Sequence, residues 1–392
     1  MDKRQLNKMV LILGILVFLV QGDNFAATPL LVEIARDLNL TISKAALSVS
    51  AYMLPFGLFT LLFGPLSDRF GKARIINTAA FVTAVFSGLG AVAFNLTSLS
   101  IFRAVNGTFA AAIIPVTLAL IGESFGDDPK VIQGALGRVM GLMFLGGAAA
   151  PAIVGFVSYI GSWRYVYLIY GTAELLMAGL MLLMLKKGPV KKKTAGLATT
   201  YRELFCTKYL VNTVLIVFLI GFSVYGSFTY AGKYIESVTG YNILLVGLLL
   251  TLFGIATVIG GYKVASIRQA LGNRTLLLAG FLGLLFWTPL GFVKNPLLIA
   301  LSLAGFGFGF ILIHPTLVTT AQLLRPSQRG AVMSLVSFNL FVGGGMGVYV
   351  NGLLLPHWGY AAIFSSAGIL LLIAGVAGTM TLSRIQACAN QA

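Results

Sequence analysis

The sequence predicts an all-α integral membrane protein whose twelve transmembrane helices form two six-helix bundles, and three observations predict it. First, 58% of the 392 residues are hydrophobic and only 10% are charged, whereas soluble domains carry about 25% charged residues. Second, the chain divides into twelve apolar segments, each close to the ~20 residues that cross a bilayer as a helix. Third, the second half repeats features of the first. This composition excludes soluble enzymes, disordered proteins and coiled coils.

The apolar segments give the predicted spans in chain order. They lie at residues 9–34, 45–66, 74–94, 97–122, 131–158, 164–186, 209–232, 242–263, 275–293, 296–322, 330–354 and 360–382. The basic N-terminus and the apolar run behind it resemble a signal peptide, but the apolar run continues through Pro29–Val32 and further spans follow. We therefore expect the first segment to be retained as a helix.

Basic residues predict the orientation. Twenty of the 27 Lys and Arg residues lie in segments on the side of the termini, and two lie within spans. The remaining five are on the other side: Arg36, Lys44, Arg164, Lys233 and Lys294. By the positive-inside rule, a multi-pass protein of the inner (plasma) membrane with both termini cytoplasmic is expected. The net charge of +16 then reports orientation, and no nucleic-acid partner is expected because little water-exposed surface is available.

The longest polar segment divides the spans into two sets of six. It predicts an N-terminal six-helix bundle at 1–186, a cytoplasmic linker at 187–208 and a C-terminal six-helix bundle at 209–392. The linker lysines are typical of a solvated segment that also binds anionic membrane lipid. Ile113–Leu118 of span four parallels Ile313–Val318 of span ten, and Trp163 parallels Trp358. Such parallel repeats are typical of transporters with a central site near the membrane midplane.

The loop between spans two and three carries the most specific motif, Gly64-Pro65-Leu66-Ser67-Asp68-Arg69-Phe70-Gly71-Lys72-Ala73-Arg74. Gly64 permits close helix approach and Gly71 permits a turn with positive φ, while Asp68 can accept hydrogen bonds from basic side chains. The motif resembles the signature loop of the major facilitator superfamily. The resemblance implies a gating loop in which Arg69, Lys72 and Arg74 pair across the bundles and hold the outward-open state.

The corresponding segment of the second half keeps Gly272 and Arg274 but has Gln269 in place of the aspartate. We therefore expect the second gating loop to be degenerate.

Two further motifs resemble those of drug:proton antiporters in the same superfamily. Span four contains Arg103, Asn106 and Gly107, similar to an Arg-x-x-Gln-Gly pattern. Span five has the spacing of the antiporter signature, with Ala150 and Val154 replacing two glycines. Its retained residues are Gly137, Gly146, Pro151 and Gly155. A smooth face with a proline kink would let this span slide against the other bundle; ordinary glycine-rich packing is the alternative.

Ionisable residues inside spans are costly and mark functional sites. We predict that Asp23 in span one is the proton carrier and that Arg103 is its partner, as the resemblance implies; a static ion pair and direct binding of a cationic substrate are the alternatives. For Glu174 we expect structural pairing with Arg138. His314 is equally suited to titration near physiological pH or to polar packing.

A sparsely polar cavity is predicted from residues on inward faces of several spans. Its members are Gln21, Asn24, Tyr52, Tyr225, Tyr230, His314 and Asn339. Such a lining suits amphipathic molecules. Together with the resemblance to drug:proton antiporters, which implies proton coupling and alternating access, it predicts efflux of small apolar or amphipathic compounds. A dedicated exporter or importer of one metabolite is the alternative. We expect a monomer with no cofactor other than the coupling proton, no metal site and no enzymatic activity.

Overall fold

In the described residues, the first half of the protein consists of six helices. The structure, a computed structural model, describes residues 3–124, 129–184 and 197–389. The six helices are α1 (Lys3–Asp37), α2 (Ile42–Phe70), α3 (Lys72–Gly90), α4 (Leu96–Ser124), α5 (Pro129–Ile160) and α6 (Trp163–Met184). They overlap predicted spans one to six, and most continue beyond the apolar stretch because a helix need not end where its hydrophobicity does.

The second half begins with a short helix that the sequence analysis did not predict. Its helices are α7 (Leu197–Phe205), α8 (Lys208–Thr239), α9 (Ile243–Leu271), α10 (Arg274–Trp287), α11 (Pro296–Leu324) and α12 (Arg329–Ala389). Helix α7 lies within the predicted linker at 187–208. The linker lysines at 187 and 191–193 lie outside the described residues, so lipid binding by them stays a prediction.

Helix α12 contains two membrane spans. Its 61 residues would extend roughly 90 Å as one straight helix, about three times the hydrocarbon thickness of a bilayer. Gly359 interrupts it with φ 69° and ψ −175°, a conformation that glycine adopts without steric cost. We call residues 329–358 the first arm and residues 360–389 the second arm. Helix α10 continues as a 3-10 helix over Thr288–Phe292, which extends its apolar segment to Arg274–Phe292. The eleven apolar helical segments of the described residues that are long enough to cross a membrane thus provide the predicted twelve spans.

Helix ends define two faces of the bundle. We call the face where α1 begins and α12 ends the terminal face, and the other the opposite face. Gly71 between α2 and α3 and Gly272 between α9 and α10 both have positive φ, 92° and 55°, at corresponding places of the two halves. On the opposite face, Asn242 accepts a hydrogen bond from the Leu245 backbone at 3.0 Å and begins α9, as side-chain caps commonly do.

In the described residues, the two halves pack mainly through three helix pairs. Helix α2 packs on the first arm of α12, where a Cβ added at Gly57 would lie 3.0 Å from the Val342 nitrogen. Helix α5 packs on α9, and α1 packs on α8. At the α1–α8 contact, a Cβ at Gly232 would lie 3.5 Å from the Thr28 carbonyl oxygen. Small residues thus bring helices from the two halves into close contact, as is common in membranes.

The outer surface is apolar. Large hydrophobic side chains such as Phe81, Leu176, Leu183 and Ile259 are more than half exposed. Continuous apolar surface of this kind is unfavourable in water and is expected where lipid covers a protein. The structure therefore supports a multi-pass membrane protein.

Candidate functional site

A charged pair lies in the interior of the first half. Asp23 of α1 and Arg103 of α4 have side chains only 1% and 2% exposed. Arg103 Nη1 donates to Asp23 Oδ1 at 3.2 Å, and Asn106 Nδ2 donates to Asp23 Oδ2 at 2.6 Å. Each oxygen of this carboxylate therefore has a donor. Two hydrogen bonds and an opposite charge offset the desolvation of Asp23, which is the condition for keeping a charge in a membrane span.

Tyrosine rings enclose the Arg103 guanidinium. Its carbon lies 4.2 Å from the centroid of the Tyr52 ring and 5.8 Å from that of Tyr167, close enough for cation–π attraction. Tyr52 is held there because α2 and α4 approach closely: a Cβ at Gly107 would overlap the Tyr52 carbonyl oxygen. Arg103 Nε and Nη2 have no hydrogen-bond partner in the described part of the chain, so the rings replace part of its hydration.

Glu174 lies in the same interior and does not pair with Arg138. Its side chain is fully buried, whereas Arg138 is exposed and donates to Asn7 Oδ1 at 3.4 Å. The expected Glu174–Arg138 pair is therefore wrong, because Arg138 contacts α1 at Asn7, about four helical turns from Asp23, near which Glu174 lies. Among the described residues, neither carboxyl oxygen of Glu174 has a hydrogen-bond partner. Glu174 is instead within electrostatic reach of Asp23 and Arg103.

Aromatic side chains fill the boundary between the halves. Tyr225 of α8 packs edge-on against Phe25 of α1 with ring centroids 5.7 Å apart. It also lies 5.9 Å from Phe341, whose ring is 4.0 Å from Phe56 of α2. These four residues from both halves form what we call the aromatic boundary. Such a surface offers shape and dispersion contacts to an apolar ligand and few hydrogen bonds.

The other predicted cavity residues occupy different environments. His314 stacks on Phe310, with ring centroids 5.4 Å apart, and its Nε2 has no partner within the described ranges. Asn24 is buried, and its amide is likewise unpartnered there. Gln21 lies on α1 beside Gly147 of α5, where an added Cβ would be 3.4 Å from its Cγ.

Two of the predicted lining residues donate their hydrogen bonds to backbone carbonyls of α12. Tyr230 is completely buried within the second half, and its hydroxyl donates to the Val348 carbonyl at 2.7 Å. Asn339 Nδ2 donates to the Leu335 carbonyl one turn earlier in its own helix at 2.8 Å. The helical face on which a residue lies does not show which helix its side chain contacts. For both Tyr230 and Asn339 the hydrogen-bond acceptor belongs to α12.

The predicted gating loop makes its ion pairs within the first half. Lys72 Nζ lies 2.7 Å from Asp68 Oδ1 and 3.1 Å from Glu123 Oε1 at the end of α4. Arg69 lies 5.3 Å from the Phe70 ring, and Arg74 is exposed. The expected pairing of Lys72 across the bundles is therefore not present in this conformation.

Gly64 contributes less to close packing than its motif position suggested. A Cβ there would meet Ser334 Oγ of α12 at 3.7 Å, an ordinary contact distance. These two helices approach each other more closely at Gly57 than at Gly64.

Residues of the span-five motif take part in two different helix contacts, one with α1 and one with α9. A Cβ at Gly146 would overlap the Phe18 carbonyl of α1, which is a contact inside the first half. At Gly155 a Cβ would lie 2.8 Å from the Ile243 carbonyl of α9, across the boundary. Pro151 also contacts α9, where its carbonyl oxygen fills the space beside Gly247. Among the described residues, nothing lies within 4 Å of a Cβ position at Gly137, so Gly137 takes no part in this packing there.

Four charged side chains join the halves at the opposite face. Arg36 of α1 lies 3.0 Å from Glu236 of α8. Arg36 also lies 3.1 Å from Glu33, and Lys233 lies 2.7 Å from Glu236. We call Glu33, Arg36, Lys233 and Glu236 the charge clasp. It borders a cleft of about 560 Å³ between the halves.

Comparison with known proteins places this fold in a family. The sequence profile described as Major Facilitator Superfamily matches residues 13–347 and 240–387. The chain belongs to the Major Facilitator Superfamily. The family and its fold are those of membrane transporters, and the two halves of six spans agree with it.

Relatives in this superfamily include efflux pumps. The chain is 25% identical over 374 residues to the uncharacterized MFS-type transporter YceJ of Bacillus subtilis, covering 91% of this chain and 92% of that one. It is 27% identical over 339 residues to the multi-drug resistance efflux pump PmrA of Streptococcus pneumoniae, covering 83% and 82%. It is 26% identical over 358 residues to the multidrug efflux protein YfmO of B. subtilis, covering 88% and 86%.

Solved structures show the same fold. A bacterial homologue of the human lysosomal transporter Spinster, in an inward-facing unoccupied conformation, superposes with a TM-score of 0.79 at 16% identity. The alignment covers 97% of this chain and 98% of that one. At this identity the similarity concerns the fold alone.

Proposed function

We propose that this superfamily member is a proton-coupled exporter of small apolar or amphipathic compounds. The observation that carries the proposal is the buried contact of Asp23 with Arg103 and Asn106. A carboxylate in a membrane span is costly and is retained where protons or ions move. Protonation of Asp23 would remove its charge and with it the attraction to Arg103, so this contact has two states that differ by one proton.

The boundary between the halves supports an apolar substrate class. Phe25, Phe56, Tyr225 and Phe341 present ring faces and edges with few competing hydrogen-bond donors. The names of PmrA and YfmO as multidrug efflux proteins point the same way. A dedicated exporter or importer of one metabolite remains the second candidate, because His314 Nε2 and the Asn24 amide are buried polar groups without partners in the described residues.

Alternating access is the proposed mechanism. The halves meet at the opposite face through the charge clasp, and small residues line the α5–α9 and α2–α12 contacts along which they would rock. We propose that the terminal face is cytoplasmic, in agreement with the bias of basic residues, and that the conformation described is closed toward the outside. We further propose that the protein acts as a monomer in the plasma membrane, in contact with lipid and with no cofactor besides protons.

Transport by purified protein in liposomes tests the proposal. We expect an imposed pH gradient to drive ethidium, an aromatic cation, against its concentration gradient. Asp23→Asn should abolish the pH-driven component while exchange of ethidium across the membrane at equal pH continues. Glu203→Gln is the matched control, because it makes the same chemical change on α7, outside the spans, and should leave both activities unchanged.

Two results would contradict it. Full pH-driven transport by the Asp23→Asn variant would exclude Asp23 as proton carrier and favour a static ion pair. Transport of hydrophilic metabolites but not of apolar cations by the unmodified protein would favour the dedicated transporter.

A further inference from the structure

Glu174 is a buried carboxyl whose surroundings differ from those of Asp23. Its side chain has no exposed surface in the middle of α6, and its oxygens have no hydrogen-bond partner among the described residues. Thr83 of α3 lies beside it, but the Thr83 hydroxyl already donates to the Ala80 carbonyl at 3.0 Å. The Thr83 hydroxyl can therefore only accept a hydrogen bond from Glu174, and a carboxyl group can donate such a bond only when it is protonated.

The charges around Glu174 balance only if one carboxyl is protonated. Among the described residues, Asp23 of α1 and Arg103 of α4 are the charged side chains within its electrostatic reach. On α5, which also packs against α6, Arg138 is exposed and bound to Asn7. One guanidinium therefore serves two carboxyls. Since an unpaired buried charge is strongly unfavourable, the neutral arrangement has one carboxylate and one carboxylic acid.

The hydrogen bonds indicate which carboxyl is charged in this conformation. Asp23 accepts from both Arg103 and Asn106, which suits a carboxylate. Glu174 accepts from neither, which suits a carboxylic acid.

We propose that Glu174 is a second proton-carrying residue that alternates with Asp23. In the conformation described, the proton is on Glu174 and the charge of Arg103 is balanced by Asp23. When a proton from solution binds an Asp23 oxygen, a new O–H bond forms there and Arg103 loses its partner. The O–H bond of Glu174 then breaks, its proton leaves to the other side, and the Glu174 carboxylate balances Arg103. The net charge of the group is the same before and after.

Tyrosine side chains lie near the two carboxyls: Tyr52 and Tyr170 are within electrostatic reach of both, and Tyr167 of Asp23. The Tyr170 hydroxyl of α6 packs against Gly22, the residue before Asp23: a Cβ added at Gly22 would lie 2.7 Å from this hydroxyl. The hydroxyls of Tyr52, Tyr167 and Tyr170 all lack hydrogen-bond partners within the described ranges. Each hydroxyl can accept one hydrogen bond and donate another. The tyrosines can therefore form hydrogen bonds with whichever carboxyl is neutral, and they can pass the proton from Asp23 back to Glu174 at the end of the cycle.

This inference deepens the proposed function and rests on it, but its first test needs no substrate. Infrared difference spectra of the purified protein in liposomes report the C=O stretch of protonated carboxylic acids. At neutral pH we expect one such band from Glu174. The band should be absent in Glu174→Gln and present in the control Glu203→Gln. It should also disappear in Asp23→Asn, although Glu174 remains, because Glu174 is then the only carboxyl able to balance Arg103.

Persistence of the band in Glu174→Gln would overturn the assignment, and its persistence in Asp23→Asn would overturn the alternation. Transport provides the second test: Glu174→Gln should lose pH-driven ethidium transport and keep exchange, and Glu174→Asp, which retains a carboxyl, should recover part of it. If the unmodified protein is driven by the pH gradient and Glu174→Gln is driven equally well, the proposal for Glu174 is refuted while the proposed function stands. Absence of coupling in the unmodified protein would instead refute the proposed function.

Discussion

Reversing one charge of the clasp should open the opposite face of the transporter. Of its three ion pairs, only Arg36–Glu236 connects the halves, since Glu33–Arg36 and Lys233–Glu236 lie within single helices. We expect Arg36→Glu to replace this attraction with repulsion from Glu236. The population with a separated opposite face should increase as a result.

The size of this shift in the conformational equilibrium follows from the solvent exposure of Arg36 and Glu236. Arg36 is 64% exposed and Glu236 is 24% exposed, so solvent screens the pair and its contribution is about 0.2–1 kcal/mol. Replacing attraction by repulsion of similar size changes the balance by up to ~2 kcal/mol. A change of one to two kcal/mol is a factor of roughly 5–30 in the ratio of two conformations, large enough to measure and too small to unfold the protein.

Pulsed electron spin resonance between labels on the two halves measures this shift. Cysteines at Thr97 and Lys294, both exposed near the opposite face, would carry the labels after the exposed Cys206 and Cys388 are changed to serine. The distance distribution should gain a longer component in Arg36→Glu. Lys44→Glu reverses a charge on the same face and should leave the distribution unchanged, since no ion pair of Lys44 is found in the described ranges.

A full exchange of charges provides the decisive result. Glu33→Lys, Arg36→Glu, Lys233→Glu and Glu236→Arg together reverse every member of the clasp and keep every pair. This variant should regain the original distance distribution. If Arg36→Glu does not lengthen the distance, or if the fourfold exchange behaves like the single reversal, electrostatic closure by the clasp is refuted.

Two further predictions concern packing. Gly107→Val should lower the free energy of unfolding by about 1–3 kcal/mol because its Cβ would overlap the Tyr52 carbonyl. Thermal unfolding in detergent measures this against Gly137→Ala, whose added Cβ meets no neighbour among the described residues and which should change little. Equal destabilisation would contradict the packing argument. Tyr230→Phe should cost about 0.5–1.5 kcal/mol through the lost hydrogen bond to Val348 and leave transport intact. A change in substrate preference would instead make Tyr230 a lining residue.

Much of the fold could be predicted because it depends on local properties of the chain. Apolar length alone gives the spans, and the need for positive φ identifies Gly71 as the turn between α2 and α3. Asp23 and Arg103 could be selected because ionisable residues are so rare within the spans. These inferences require no knowledge of which helices touch.

What escaped prediction depends on neighbours distant in sequence. Glu174 was assigned to Arg138 because both are charged, but the space around it is determined by α1, α3 and α4. Tyr167 and Tyr170 gave no signal in the sequence because aromatic residues are common in spans. Arg36 and Glu236 are 200 positions apart, the offset of the internal repeat, and that coincidence was the one signal that could have found the clasp.

The position of the buried charges on one side of α1 has a consequence for inhibition. Asp23 points into the first half toward Arg103, whereas Phe25, two residues later, reaches Tyr225 of the second half. A molecule bound at the aromatic boundary therefore does not occupy the space that a proton needs. Protons and bound compounds would influence each other through movement of α1 and through α2, where Tyr52 contacts Arg103 and stacks on Phe56. Acidification should therefore weaken binding without direct competition, and a saturating ligand should not prevent protonation of Asp23.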